Sequence, residues 1–295
     1  MKHVALLVIA GLAAAQQPAG QDPPFQLPQT VEMRPDLTYA SYGARSLKVD
    51  LFLPRQGAGP FPAVVYIHGG GWSGGSKIAF RRQAAHMGNK GFVGACIEYR
   101  LSGEAQFPAA LHDAKAAVRW LRAHAKEFRV NPDRIGAAGG SAGGHLAAML
   151  GTTQDIAEFE GAGGNAGHSS KVRAVAAFNP ALDFLSFGQR GPDNAQNAVS
   201  RFLGGPYKDH EALWAKASPL THTSKQSAAF LLLHGTGDTT VPYQQSVDMM
   251  NKLKAAGVHA EIFTAEGAGH GFFNRPPWYE PSLKRMGEFL TRMLR

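Results

Sequence analysis

Three residues of the kinds that together activate an oxygen nucleophile stand at glycine-flanked corners of this 295-residue chain: Ser141 in "GGSAGGHLA", Asp238 in "LLLHGTGDTTVP" and His270 in "EGAGHGF". Gly139, Ser141 and Gly143 fit Gly-x-Ser-x-Gly, a strand-to-helix corner whose glycines make room for a strained serine with an exposed hydroxyl. The helix that follows aims its unpaired N–H groups and the positive end of its dipole at the same spot. Free serine is a poor nucleophile at neutral pH, so it needs a base, and the base needs a carboxylate to fix its tautomer. The order serine, acid, histidine, each after an apolar run, is the one such a site takes on a parallel sheet. The residues therefore predict Ser141 as nucleophile, His270 as general base and Asp238 as the orienting acid.

Each assignment has a competitor. Asp183 ends the preceding apolar run and is the rival acid; its other reading is a loop or helix-cap residue. Among the 12 histidines, His145 lies one turn into the helix after the serine and His234 lies inside the strand before Asp238. Both read as packing or hydrogen-bonding residues. "HGGGW", His68 to Trp72, supplies the second electrostatic part. A glycine run after an early strand lets backbone N–H groups face developing negative charge, with Gly70 and Gly71 as donors beside the N–H of Ala142. The N–H of Trp72 is an alternative donor. His68 reads as a brace for the loop, and the Trp72 ring either binds substrate or packs. A phosphate-binding reading of these glycines fails, because no Gly-Lys-Ser/Thr ending and no suitably placed acidic residue follows.

The elements that must carry these residues alternate. "TYASYGARSLKVDLFLP" reads as one or two strands, "PAVVYIHGGG" as a buried parallel strand ending at the glycines, and "GFVGACIEYR" as another after a helical stretch. Leu111, Ala114, Val118, Leu121 and Ala125 recur at helical spacing between Phe107 and Phe128. "RIGAAGGS", "VRAVAAFNPALD", "AAFLLLHGTGD" and "HAEIFTAEGAGH" continue the strands, with helices expected over 241–256 and 283–294. The pattern predicts one α/β domain with a mostly parallel, doubly wound sheet flanked by helices, from residue 38 to 295. Residues 184–227 contain no clear strand and read either as a small cap with two short helices or as a surface excursion.

Composition bounds the remaining possibilities. Apolar residues make up 44% and charged residues 18%, which fits a globular protein. "MKHVALLVIAGLAAA" has a basic start, a short apolar run and small residues ending at Ala15, so residues 1–15 read as a secretory signal peptide and 16–37 as a loose Pro- and Gln-rich leader. The expected location is periplasmic or secreted. No apolar run suits a membrane span. Cys96 is the single cysteine, which excludes an internal disulfide and a cysteine metal cluster, and no His/Asp/Glu group has metal spacing. A formal charge of +8 without a dense basic block points away from nucleic acid; attraction to an acidic polysaccharide and plain surface solvation are the readings left. The sequence leaves the oligomeric state open.

Taken together, "HGGGW", "EYRLSGEAQFPAALHDAKAAVRWLRAHA", "RIGAAGGSAGGHLA", "ASPL", "LLLHGTGDTTVP" and "GAGHGF" make the chain from about Tyr39 onward resemble a serine esterase of the α/β-hydrolase fold. The resemblance is to the hormone-sensitive-lipase-like branch and its secreted acetylxylan and feruloyl esterase relatives. It implies a two-step hydrolysis of short acyl esters through an acyl-enzyme, without metal or cofactor. Many hormone-sensitive-lipase-like members carry a larger N-terminal helical cap and an Asp-Pro-Leu setting for the acid, whereas this chain has "GTGDTTVP". That departure favours acetyl or feruloyl groups on hemicellulose. The competing readings are a lipid or small-molecule carboxylesterase, a formamidase-like amidase, and a non-catalytic binding module.

Overall fold

The structure is a computed structural model that describes residues 25–154, 156–190 and 194–295. The signal-like residues 1–15 and the leader up to residue 24 lie outside the described residues. Eight strands form one sheet in the order β1-β2-β4-β3-β5-β6-β7-β8. β1 (Val31–Tyr42) and β2 (Arg45–Pro54) make an antiparallel hairpin, and β2 pairs antiparallel with β4 (Val93–Ile97). From β4 onward the sheet is parallel through β3 (Phe61–Ile67), β5 (Val130–Gly140), β6 (Ala174–Phe178), β7 (Ala229–Gly235) and β8 (Ala260–Ala265). One expectation is corrected: β1 begins at Val31, inside the stretch read as a loose leader to residue 37. Its Pro35 and two register shifts interrupt the alternation that marks a strand, yet Val31 is buried and the hairpin is complete.

Alternate side chains of the strands feed two separate cores. Ala63, Val65 and Ile67 of β3 join one core with helices α2 (Ala109–Ala123), α3 (Ala142–Thr152) and α7 (Tyr243–Ala255). Val64 and Tyr66 join the other, with α1 (Arg81–Asn89) and α8 (Tyr279–Leu294). Two buried faces explain why these strands read as unbroken apolar runs. The segment 184–227 folds as α4 (Phe184–Gln189), α5 (Asn194–Leu203), α6 (Tyr207–Lys216) and a 3-10 turn, Pro219–His222. Phe184, Phe187, Val199, Phe202 and Trp214 from this segment are buried. Among the described residues no helix is long and apolar enough to cross a membrane.

The strand register levels the site. Ile67 pairs with Gly139, Gly140 with Phe178, Phe178 with Leu233, and Gly235 with Ala265. The loops that leave these ends carry the glycine run, Ser141, Asn179, Asp238 and His270, which is where an open parallel sheet assembles a site.

Candidate active site

Ser141 joins β5 to α3 with φ 55° and ψ −121°, a left-handed backbone for a residue with a side chain. Such a conformation costs about 1–3 kcal/mol and persists only where the surroundings hold it. Here the Ser141 N–H donates to the Phe178 carbonyl at 2.9 Å, and its carbonyl accepts from His145 N–H, also at 2.9 Å. The flanking glycines are a packing requirement. A Cβ on Gly139 would stand 2.3 Å from the Gly143 carbonyl oxygen, and one on Gly143 would stand 2.1 Å from that of Ile67. The start of α3 therefore presses directly on the end of β3.

His270 reaches Ser141 from the loop after β8. Its Nε2 lies 3.0 Å from Ser141 Oγ, and its Nδ1 lies 2.7 Å from Asp238 Oδ2. The carboxylate can only accept, so Nδ1 carries the proton and the Nε2 lone pair faces the hydroxyl. Asp238 Oδ1 accepts from the N–H groups of Thr240 at 2.8 Å and Val241 at 2.9 Å. His234 places its Nε2 3.2 Å from Asp238 Oδ2 and 3.0 Å from the Val241 carbonyl. Burial raises the Asp238 pKa, but the hydrogen bonds from His234, His270 and Val241 outweigh it and hold the group well below the usual carboxylate range. It is a fixed anion behind the imidazole.

Asp183 lies apart from this chain of contacts. It caps α4, its Oδ1 accepting from Leu185 N–H at 3.0 Å. His145 is fully buried: Trp72 Nε1–H donates to its Nδ1 at 3.2 Å, and its Nε2–H donates to the Ala217 carbonyl at 2.8 Å. Burial lowers its pKa to about 4, only partly opposed by the bond to Ala217. His68 donates from Nδ1 to the Gly69 carbonyl at 2.8 Å and stacks on Tyr99, so it braces the glycine loop.

That loop turns sharply, with φ 113° at Gly70, 58° at Gly71 and 56° at Trp72. Its shape is fixed by close approach, since a Cβ on Gly70 would lie 2.3 Å from the Gly74 carbonyl oxygen. Among the described residues the N–H groups of Gly70, Gly71 and Ala142 donate to no other protein group. Gly70, Gly71, Ser141 and His270 border one cavity of about 550 Å³. The Trp72 ring is 4% exposed and stacks on Phe202 at 4.7 Å, so most of it packs under the cap while an edge borders the cavity.

Asn179 was not singled out from the sequence. It follows β6 with φ 35°, is 1% exposed, and sets its amide nitrogen 3.2 Å from both ring nitrogens of His270. Its Oδ1 is buried and has no partner among the described residues. The one signal was its position, the residue after a buried strand whose neighbours on both sides lead into site loops. Among the described residues no group of three His, Cys, Asp or Glu side chains could hold a metal ion.

Comparison with known proteins agrees with this architecture. The BD-FAE family matches residues 49–253. The chain is 31% identical over 241 residues to the probable carboxylic ester hydrolase LipM of Mycobacterium tuberculosis, covering 77% of this chain and 54% of that protein. It thus spans about half the length of the curated relatives it matches. A truncated carbohydrate esterase from gut microbiota superposes with a TM-score of 0.81 at 27% identity, covering 90% of this chain and 97% of the other. Propionate-bound esterase Est2 of Thermogutta terrifontis gives 0.76 at 30% identity, covering 90% and 94%. On fold, motif order and sequence, the chain belongs to the BD-FAE family, within the hormone-sensitive-lipase-like esterase branch of the α/β hydrolases.

Proposed function

We propose that this protein is a serine carboxylic-ester hydrolase that removes short acyl groups, acetyl or feruloyl, from hemicellulose. The relay Asp238–His270–Ser141 at the floor of a cavity bordered by free backbone N–H groups carries this reading. His270 Nε2 takes the Ser141 proton as Oγ attacks the ester carbonyl. The oxyanion gathers the N–H groups of Gly70, Gly71 and Ala142, donors oriented before charge develops. Collapse expels the alcohol with a proton returned by the imidazolium, leaving an acyl-enzyme. Water activated by His270 then releases the acid. Asp238, an anion at all working pH values, holds the Nδ1–H tautomer and stabilises the imidazolium.

The substrate half rests on the likeness to the gut carbohydrate esterase and on the small cap. Export to the periplasm or the medium, read from the first 15 residues, would put the enzyme where such polymers are. The mostly apolar cavity wall favours one second reading, a small-molecule or lipid carboxylesterase. Acetate release from acetylated xylan fragments, measured for wild type and Ser141→Ala, tests both halves. Release by wild type, reduced at least about 10⁴-fold in the variant, is expected. Retained turnover in Ser141→Ala sinks the mechanism. A wild type that cleaves aryl acetates and leaves xylan untouched sinks the polysaccharide.

A further inference from the structure

A second cleft of about 420 Å³ adjoins the active-site cavity, and Ala79 and Asn274 border both. The cleft forms where the first described residues of the chain meet the 3-10 turn Lys77–Phe80 and the start of α8. Three large apolar side chains are exposed among the described residues: Phe25 at 36%, Leu27 at 37% and Ile78 at 57%. Two of them, Phe25 and Ile78, line this cleft, with Tyr279 beside them. Phe25 is anchored edge-on against Phe52 at 6.2 Å. Exposed apolar surface that continues a catalytic cavity is where the apolar part of a ligand rests.

The chemistry decides which part of the ester belongs there. The leaving alcohol takes its proton from His270 Nε2, so it departs on the side of the loop after β8, while the carbonyl oxygen turns to Gly70 and Gly71. Asn274 ends the 3-10 turn Phe272–Asn274, immediately after the His270 corner, so the cleft joins the cavity on the alcohol side. The opposite wall is closed by the cap. Phe187, Ala198 and Val199 of the cap line the cavity there and bound the side left for the acyl group.

We propose that this cleft is the alcohol subsite and that it takes a pyranose ring of an acylated oligosaccharide. A sugar ring has an apolar C–H face, which suits Phe25, Ile78 and Tyr279. It also has hydroxyl edges, which suit the Asn274 side chain, whose amide has no protein partner among the described residues. A hydrocarbon alcohol would leave that amide unused. The assignment rests on the polysaccharide-esterase reading and adds the place and manner of sugar binding.

The test compares kcat and KM of wild type and Phe25→Ala/Ile78→Ser on acetylated xylo-oligosaccharide, cyclohexyl acetate and methyl acetate. Both positions are exposed, and a thermal melt checks that the double variant is folded. The expected result is a loss on the oligosaccharide about tenfold greater than on methyl acetate, carried by KM. Equal losses on the oligosaccharide and methyl acetate overturn the subsite; the polysaccharide reading then stands on acetate release alone. A wild type inert toward the oligosaccharide, with selective loss on cyclohexyl acetate in the variant, overturns the sugar and the polysaccharide reading together.

Discussion

Asp238 receives four hydrogen-bond donors, two from backbone and two from histidines, while the imidazole it orients is also touched by the Asn179 amide. The amide has no charge to offer, so it contributes position and excludes water from the ring. Replacing it with a carboxylate of nearly the same shape removes the amide donor and adds an anion. A carboxylate beside His270 favours the imidazolium, so Asn179→Asp moves the acid limb of kcat/KM to higher pH by about one unit. A pH–rate profile on an aryl acetate reads this directly; a uniform fall in rate with an unmoved limb would mean that Asn179 only packs. Ser141, Asp238 and His270 are legible because each follows an apolar run that ends in glycine; Asp183 also lies between Ser141 and His270 in the chain, and only its place as the cap of α4 removes it. His234 is the hydrogen-bonding residue its place in the strand suggests, but its pairing with Asp238 and the role of Asn179 are illegible, because they arise from the loops that β6 and β7 bring together, which no local pattern encodes.

At the scale of elements, His145 joins three that local sequence does not connect: α3 on which it sits, the glycine loop through Trp72, and the cap through the Ala217 carbonyl. That clamp holds only while the imidazole is neutral. In the folded protein His145 titrates at about 4, against 6.5 when unperturbed. Between those values only the unfolded chain binds the proton, so the stability it protects is complete above pH 6.5 and is lost as pH falls toward 4. The loss amounts to roughly 3 kcal/mol over that window. His145→Gln keeps a donor and an acceptor without a titrating group. The difference in Tm between wild type and variant should therefore change across pH 6.5 to 4, a parallel pair of curves being the opposing result. The difference is the readout because burial lowers the His68 and His112 pKa values too. The alternation of strands and helices was legible because both sheet faces are covered, which leaves long apolar runs. The start of β1 was not, since Pro35 and its register shifts break the period, and the cap was only half legible because its helices are short and bury Phe184 and Trp214 against partners distant in sequence.

For the molecule as a whole the formal charge is +8. Lys2 is the only Asp, Glu, Lys or Arg residue among residues 1–15, so the chain without that signal-like stretch would carry a formal charge of +7. Some of the basic residues are paired inside the fold: Arg81 is held by Asp50, Arg100 by Asp113, and Lys115 and Arg119 by Glu160. What remains is a long-range field that raises the local concentration of an anionic polymer without choosing its sequence. Such a field acts over a screening length of about 30 Å at 0.01 M salt and about 3 Å at 1 M. Deacetylation of a glucuronate-bearing acetylated xylan should thus slow several-fold in kcat/KM across that range, while hydrolysis of an uncharged aryl acetate changes less than about twofold. Apolar burial strengthens slightly with salt and would act in the opposite sense, so a fall confined to the acidic polymer isolates the field. Equal salt responses on both substrates would reduce the excess charge to ordinary surface solvation, and the choice of polymer would then rest on the site and its adjoining cleft.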